Sequence, residues 1–244
     1  MDTDILIIVF SSFFIASFLK GLTGLGFVTL CLPVISSFID VSLAIPFIII
    51  PSLASNVMVI AQTRRFGESI RRFWLLYVAA FPGLYFGVSL LSKTTDDMSR
   101  IALGAVSIIY ALFLLLNVNF SIVGKYERYF YVPVGMVNGT LNGLTGTQVM
   151  PMLPFMISLR LHRDLMINAI NLGFTISMLI LMLFLSKFGM FSLGILKISV
   201  LGILPVSAGI YLGSKLRYLL SDDKYRFAVL IILMLIGLNL ILNP

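Results

Sequence analysis

The chain has 244 residues, of which 59% are hydrophobic and 11% charged, with a formal net charge of +7. Soluble domains carry about 25% charged residues, and a soluble fold of this size could not hide so much apolar surface; a bilayer removes the problem because lipid is itself an apolar solvent. The positive balance does not point to nucleic acid, because the basic residues fall in short stretches between apolar runs, where membrane topology places them.

Charge-free gaps mark the elements in chain order. A spanning helix needs roughly 20 mostly apolar residues. The chain opens with Asp2 and Asp4 and no Lys or Arg before its apolar stretch. A cleavable signal would be basic there, so residues 5–19 are read as part of the membrane domain. A broken apolar segment covers 5–38, interrupted by Gly21-Leu22-Thr23-Gly24. Three ordinary spans follow at about 42–63, 73–92 and 99–117. A second broken segment covers 129–159, interrupted by Gly143-Leu144-Thr145-Gly146. Spans at about 165–185, 192–214 and 227–243 complete the chain.

The two halves echo each other. The tetrads lie 122 residues apart, Pro82 and Pro205 lie 123 apart, and Asp96-Asp97 and Asp222-Asp223 lie 126 apart. A steady offset of half the chain argues for duplication. The expected architecture is an all-α integral membrane protein with two inverted repeats, 1–120 and 121–244, in one membrane domain. Each repeat is a broken or re-entrant helical hairpin followed by three transmembrane helices.

Cytoplasmic loops are enriched in Lys and Arg. If each broken segment enters and leaves on one side, the loops 64–72, 118–128, 160–164 and 215–226 share a face and hold 12 of the 17 basic residues. If each broken segment crosses once, the basic loops divide evenly and the bias vanishes. The first topology is preferred, and it places both termini outside the cytoplasm. Segments 5–19 and 147–159 are short for full spans, which favours re-entrant hairpins over pairs of spans.

On that reading the two glycine-rich tips approach each other near the midplane. Thr23 or Gly24 would open one half-helix, and Thr145, Gly146 or Thr147 the other, threonine being a good N-cap. Helix N-termini present free N–H groups and partial positive charge, so two of them aimed at one cavity favour an anion. Lys20 adds a full charge at the first tip and Gln148 an amide at the second. Gly26 extends the first turn. Asn56 and Asn171, on the spans after the tips, complete the candidate substrate-binding set. Structural roles are open to the same residues. Gly and Thr pack membrane helices, Asn138, Asn142 and Asn168 can tie helices together, and Lys20 can snorkel to the interface.

Other chemistry finds no residues. No Asp or Glu lies deep in a span to carry protons, no Walker motif appears, and no His/Cys/Asp cluster has metal-ligand spacing. The one histidine, His162, lies in a basic loop. No enzyme activity and no cofactor is expected; the expected partners are a small anionic solute and the lipid bilayer.

Gly21-Leu22-Thr23-Gly24-Leu25-Gly26-Phe27 followed by Leu32-Pro33, with Asn56 before Arg64-Arg65, resembles the TauE/SafE family, also called the sulfite exporter or TSUP family. In the second half the matching features are Gly143-Leu144-Thr145-Gly146, Asn171-Leu172 and Pro205 with its spaced glycines. The second tip departs from the pattern, with Thr147-Gln148 in place of further small residues. The resemblance implies a prokaryotic-type plasma-membrane carrier for small anions such as sulfite, thiosulfate or organosulfonates. An anion channel, or a membrane assembly or sensor subunit, is the rival expectation.

Overall fold

A computed structural model describes residues 3–117, 121–122, 126–191, 193–216 and 222–244. Its elements are all helical: α1 (Thr3–Thr23), α2 (Phe27–Ser36), α3 (Val41–Thr63), α4 (Phe66–Leu91), α5 (Asp96–Leu115), α6 (Glu127–Thr145), α7 (Met152–Ser158), α8 (Arg163–Lys187), α9 (Leu193–Leu201), α10 (Ile203–Leu216) and α11 (Asp222–Leu242). Among the described residues, six stretches are long and apolar enough to cross a bilayer: 4–23, 41–63, 66–91, 96–115, 163–187 and 194–216. The last runs through α9 and α10, which are separated only at Gly202, where a Cβ would sit 2.6 Å from the Phe13 ring. Prolines 46, 51, 82 and 133 lie inside helices, which membrane helices tolerate because neighbours re-satisfy the freed carbonyls.

Polar contacts sort the helix ends onto two faces. At the first face, the Val41 amide donates to Asp96 at 2.8 Å, Arg100 pairs with Asp40 at 3.8 Å, and Lys187 lies over the Tyr85 ring. This gathers the starts of α3 and α5 with the ends of α4 and α8. At the second face, Asn168 bonds Thr63 and Ser69, Arg72 pairs with Glu127 at 2.7 Å, and the Ile122 amide donates to the Ser158 carbonyl. This gathers the end of α3, the starts of α4, α6 and α8, and the end of α7.

Close glycine contacts fix the remaining directions. Phe13, Ser17 and Gly21 of α1 meet Gly202, Gly209 and Gly213 in ascending order, so α1 runs parallel to α9 and α10 and begins at the first face. Gly135, Gly139 and Gly143 of α6 climb Leu76, Ala80 and Leu84 of α4 in the same way. Gly104 of α5 packs on Gly237 of α11, so the chain also ends near the first face. Each broken segment therefore leaves and returns on one side, α1–α2 from the first face and α6–α7 from the second. That order is compatible with inverted repeats. The halves interleave, since α6 packs chiefly on α4 and α1 on α10. Small residues let these backbones approach, which is how helices associate where lipid removes the hydrophobic drive.

The second face carries Arg64, Arg65, Arg71, Arg72, Arg128, Arg160, Arg163 and Lys215. Lys125 and Arg217 lie outside the described residues, as do the side chains of Asp222, Asp223, Lys224 and Arg226.

The broken segments depart from the hairpin expectation in one respect. α1 has 21 residues, about 32 Å at 1.5 Å per residue, and is long and apolar enough to span by itself. The expected segment stops at residue 19 because Lys20 carries charge; the helix continues because that charge is bonded inside the protein. The partner helix α2 has only 10 residues and α7 only 7, so each segment pairs a long helix with a short return.

Candidate functional site

Lys20 lies in the last turn of α1, beside the first tip. It is 2% exposed, so it does not snorkel. Its Nζ donates to Ser55 Oγ at 3.0 Å and to Asn56 Oδ1, and Ser55 Oγ in turn donates to the Ser52 carbonyl at 2.7 Å. These partners are neutral, and no carboxylate pairs with Lys20 among the described residues. Burying an ammonium without a counter-charge costs several kcal/mol. An incoming anion would relieve that cost.

The first break lies four residues on. The Gly24 amide donates back to the Lys20 carbonyl at 2.7 Å, and Gly24 and Gly26 have φ of 87° and 100°, a left-handed region that favours glycine. From α8, Asn171 Nδ2 donates to the Gly24 carbonyl at 3.0 Å and to the Ile167 carbonyl at 2.8 Å. Asn56 and Asn171 thus both serve the first tip, one through Lys20 and one through Gly24.

At the second break, Gly146 has φ 71°. Its α-carbon packs against Leu32 of α2 and Ile45 of α3, where a Cβ would sit 2.8 Å from either side chain. The Thr145 and Thr147 hydroxyls lie 2.7 Å apart, and Thr145 also donates to the Leu141 carbonyl. Asn138 braces the turn by donating to the Gln148 and Met150 carbonyls at 2.7 and 3.0 Å. Gln148 is 1% exposed with neither amide atom partnered, and both amide atoms of the buried Asn142 are also without a partner. So are Asn56 Nδ2 and Asn171 Oδ1. Buried polar atoms are seldom left so.

Two expectations about this site do not hold. The threonines do not open the following helices. Gly26 and Pro151 are the N-caps of α2 and α7, while Thr23 and Thr145 end α1 and α6 with their hydroxyls turned back to carbonyls four residues earlier. Ser, Thr and Asn side chains compete in this way for local backbone groups. The tips also do not meet at the midplane. The first sits against Ile167, one turn into α8 from the second face; the second sits against Ile45, one turn into α3 from the first face.

A cavity of about 280 Å³ opens beside the first tip, bounded by α1, α2, α5, α7, α8 and α11. Leu19, Thr23, Gly26, Thr29 and Tyr110 line it, with Arg163 at its second-face end. Sequence reasoning does not single out Ser55, Thr29 or Arg163. Ser55 carries a signal, being next to Asn56; Thr29 and Arg163 carry none without the fold.

Residues 9–240 match the family of the sulfite exporter TauE/SafE. No curated protein matches the chain, and no solved structure does. The match spans nearly the whole sequence, so the chain belongs to the TauE/SafE family, a family of membrane transporters.

Proposed function

We propose that this TauE/SafE member is a secondary carrier that moves a small anion across the plasma membrane by alternating access. The observation that carries the reading is Lys20, a buried amine held by neutral side chains with no carboxylate paired to it among the described residues. In this reading Thr23, Gly24, Gly26, Asn56 and Asn171 form the anion path at the first break, and Thr145, Gly146, Thr147 and Gln148 continue it at the second, nearer the opposite face. The two halves, 1–120 and 121–244, act as inverted repeats that rock about this region, the arrangement many secondary transporters use. The basic second face lies in the cytoplasm, leaving both termini outside. Membership of a sulfite exporter family favours a sulfur oxoanion such as sulfite or thiosulfate, or an organosulfonate.

The test is flux of radiolabelled sulfur anions into proteoliposomes, with the protein shown to be folded. Saturable flux, competed by unlabelled substrate and lost in Lys20→Met, is expected. Flux untouched by that substitution would remove Lys20 from the path. Conductance at ion-channel rates would replace the carrier with a channel, and no flux of any anion would sink the reading.

A further inference from the structure

We infer that the cavity at the start of α2 is a docking site for a singly charged small oxoanion, bound by Thr29 and Arg163 and separate from Lys20. The inference rests on the reading of the chain as an anion carrier and adds to it where the anion first binds and that, among the sulfur anions named, hydrogensulfite or an organosulfonate is favoured over the dianion thiosulfate.

Helix α2 begins at Gly26, whose φ of 100° turns the backbone sharply and which supplies no side-chain cap. The first amides of a helix have no intrahelical acceptor, and together they carry partial positive charge. Gly26 and Thr29 both line the cavity. Thr29 is 2% exposed, and its hydroxyl makes no hydrogen bond to any described residue. The neighbouring hydroxyl on this wall is already committed, because Thr23 donates to the Leu19 and Leu25 carbonyls. Thr29 is therefore a donor on this wall with no described residue to donate to.

Arg163 stands at the opposite end of the cavity, exposed on the second face, with no ion pair among the described residues. The adjacent carboxylate, Asp164, faces His162 at 3.9 Å. A guanidinium at a cavity mouth can hold an oxoanion with two parallel N–H groups. Most of the remaining wall is apolar, including Leu25, Leu153, Ile157 and Met166. Such walls strengthen the attraction of a fixed donor for an anion. They also penalise charge, and the desolvation cost of an ion rises with the square of its charge. One guanidinium and one helix end supply about one and a half positive charges, enough for a monoanion and short of the two a dianion of the same shape requires, so the monoanion is favoured. Lys20 is not part of this wall; its ammonium turns to Ser55 and Asn56 of α3.

Methanesulfonate and sulfate are both tetrahedral and differ by one charge, so they make the test. The full chain in nanodiscs is titrated calorimetrically with each. Methanesulfonate is expected to bind at least tenfold tighter than sulfate. Thr29→Val and Arg163→Gln are each expected to weaken it roughly tenfold, as the loss of a hydrogen bond to a charged group does. Should Thr29→Val not fold, Arg163→Gln on the exposed face still decides. Unchanged affinity in the folded variants, with binding lost in Lys20→Met, would overturn the docking site and leave the carrier intact. Sulfate binding as tightly as methanesulfonate would overturn the charge selection. Folded protein that binds neither anion would overturn the docking site, and proteoliposome flux would then say whether the carrier reading falls with it.

Discussion

Lys20 and Asn142 hold the same place in the two halves, each immediately before a Gly-Leu-Thr-Gly tetrad, yet their side chains are treated differently. Lys20 is bonded to Ser55 and Asn56 of α3, whereas both amide atoms of Asn142 are buried without a partner. One basic side chain and one neutral amide thus precede the two matching tetrads. The imbalance gives the interior a net positive character at one break only.

Lys20→Met removes that charge and keeps the length of the side chain. Asn56 Oδ1 then loses a donor, at about 1–3 kcal/mol. Relief from burying an ammonium works in the opposite direction. Thermal stability in detergent should change little, while sulfite or thiosulfate affinity should fall at least tenfold. A variant that melts far below the parent would make Lys20 a structural residue instead.

Gly139 lies against α4, where a Cβ would overlap the Ala80 carbonyl oxygen. Backbone cannot yield as a flexible side chain can. Gly139→Ala should therefore destabilise by about 1–3 kcal/mol, the usual cost of forced overpacking. Gly67, in the first turn of the same α4, has open space within 4 Å of the place a methyl group would take. Gly67→Ala should be neutral or up to about 1 kcal/mol stabilising. Melting curves of the two variants, measured side by side, check the α4–α6 packing; equal shifts would contradict it.

The sidedness is open to labelling. The native Cys31 is 1% exposed and should not react with a membrane-impermeant thiol reagent. Arg71→Cys on the second face and Lys93→Cys on the first are both exposed positions. In intact cells Lys93→Cys should label from outside, and Arg71→Cys only after the membrane is opened. The reverse pattern would invert the orientation drawn from the basic loops. Labelling of both from one side would contradict the arrangement of helix ends.

The spans are legible because charge is costly in lipid: the runs from 41 to 63 and from 165 to 186 are free of it, and α3 and α8 occupy them. Lys20 defeats the same rule. Its partners Ser55 and Asn56 lie 35 and 36 residues away, so nothing local shows that α1 can carry a charge through its last turn. The threonines mislead for a related reason. A hydroxyl at a helix junction can cap the next helix or bond back to the one ending, and Thr23 and Thr145 do the latter. Glycine spacing at 83/87 and 209/213 is visible, but that the first pair meets α6 and the second α1 depends on how the halves interleave.

Asn171 provides a test of how the first tip is held. Its Nδ2 donates to the Gly24 carbonyl across 147 residues of sequence, and Gly24 must keep a positive φ of 87° to make the turn. Asn171→Ala removes the donor and leaves that carbonyl unpaired, at about 1–3 kcal/mol, so the tip should loosen and flux should fall. Asn171→Asp keeps the size but has no N–H to give, and it sets a carboxylate against a carbonyl oxygen and beside an anion path. If the tip positions the anion, Asn171→Asp should lose flux by more than tenfold and by more than Asn171→Ala, because repulsion of the solute adds to the lost hydrogen bond. Proteoliposome flux of both variants, normalised to folded protein, separates the cases. Equal losses would mean that Asn171 acts only by holding Gly24, and wild-type flux in Asn171→Asp would place the anion path elsewhere.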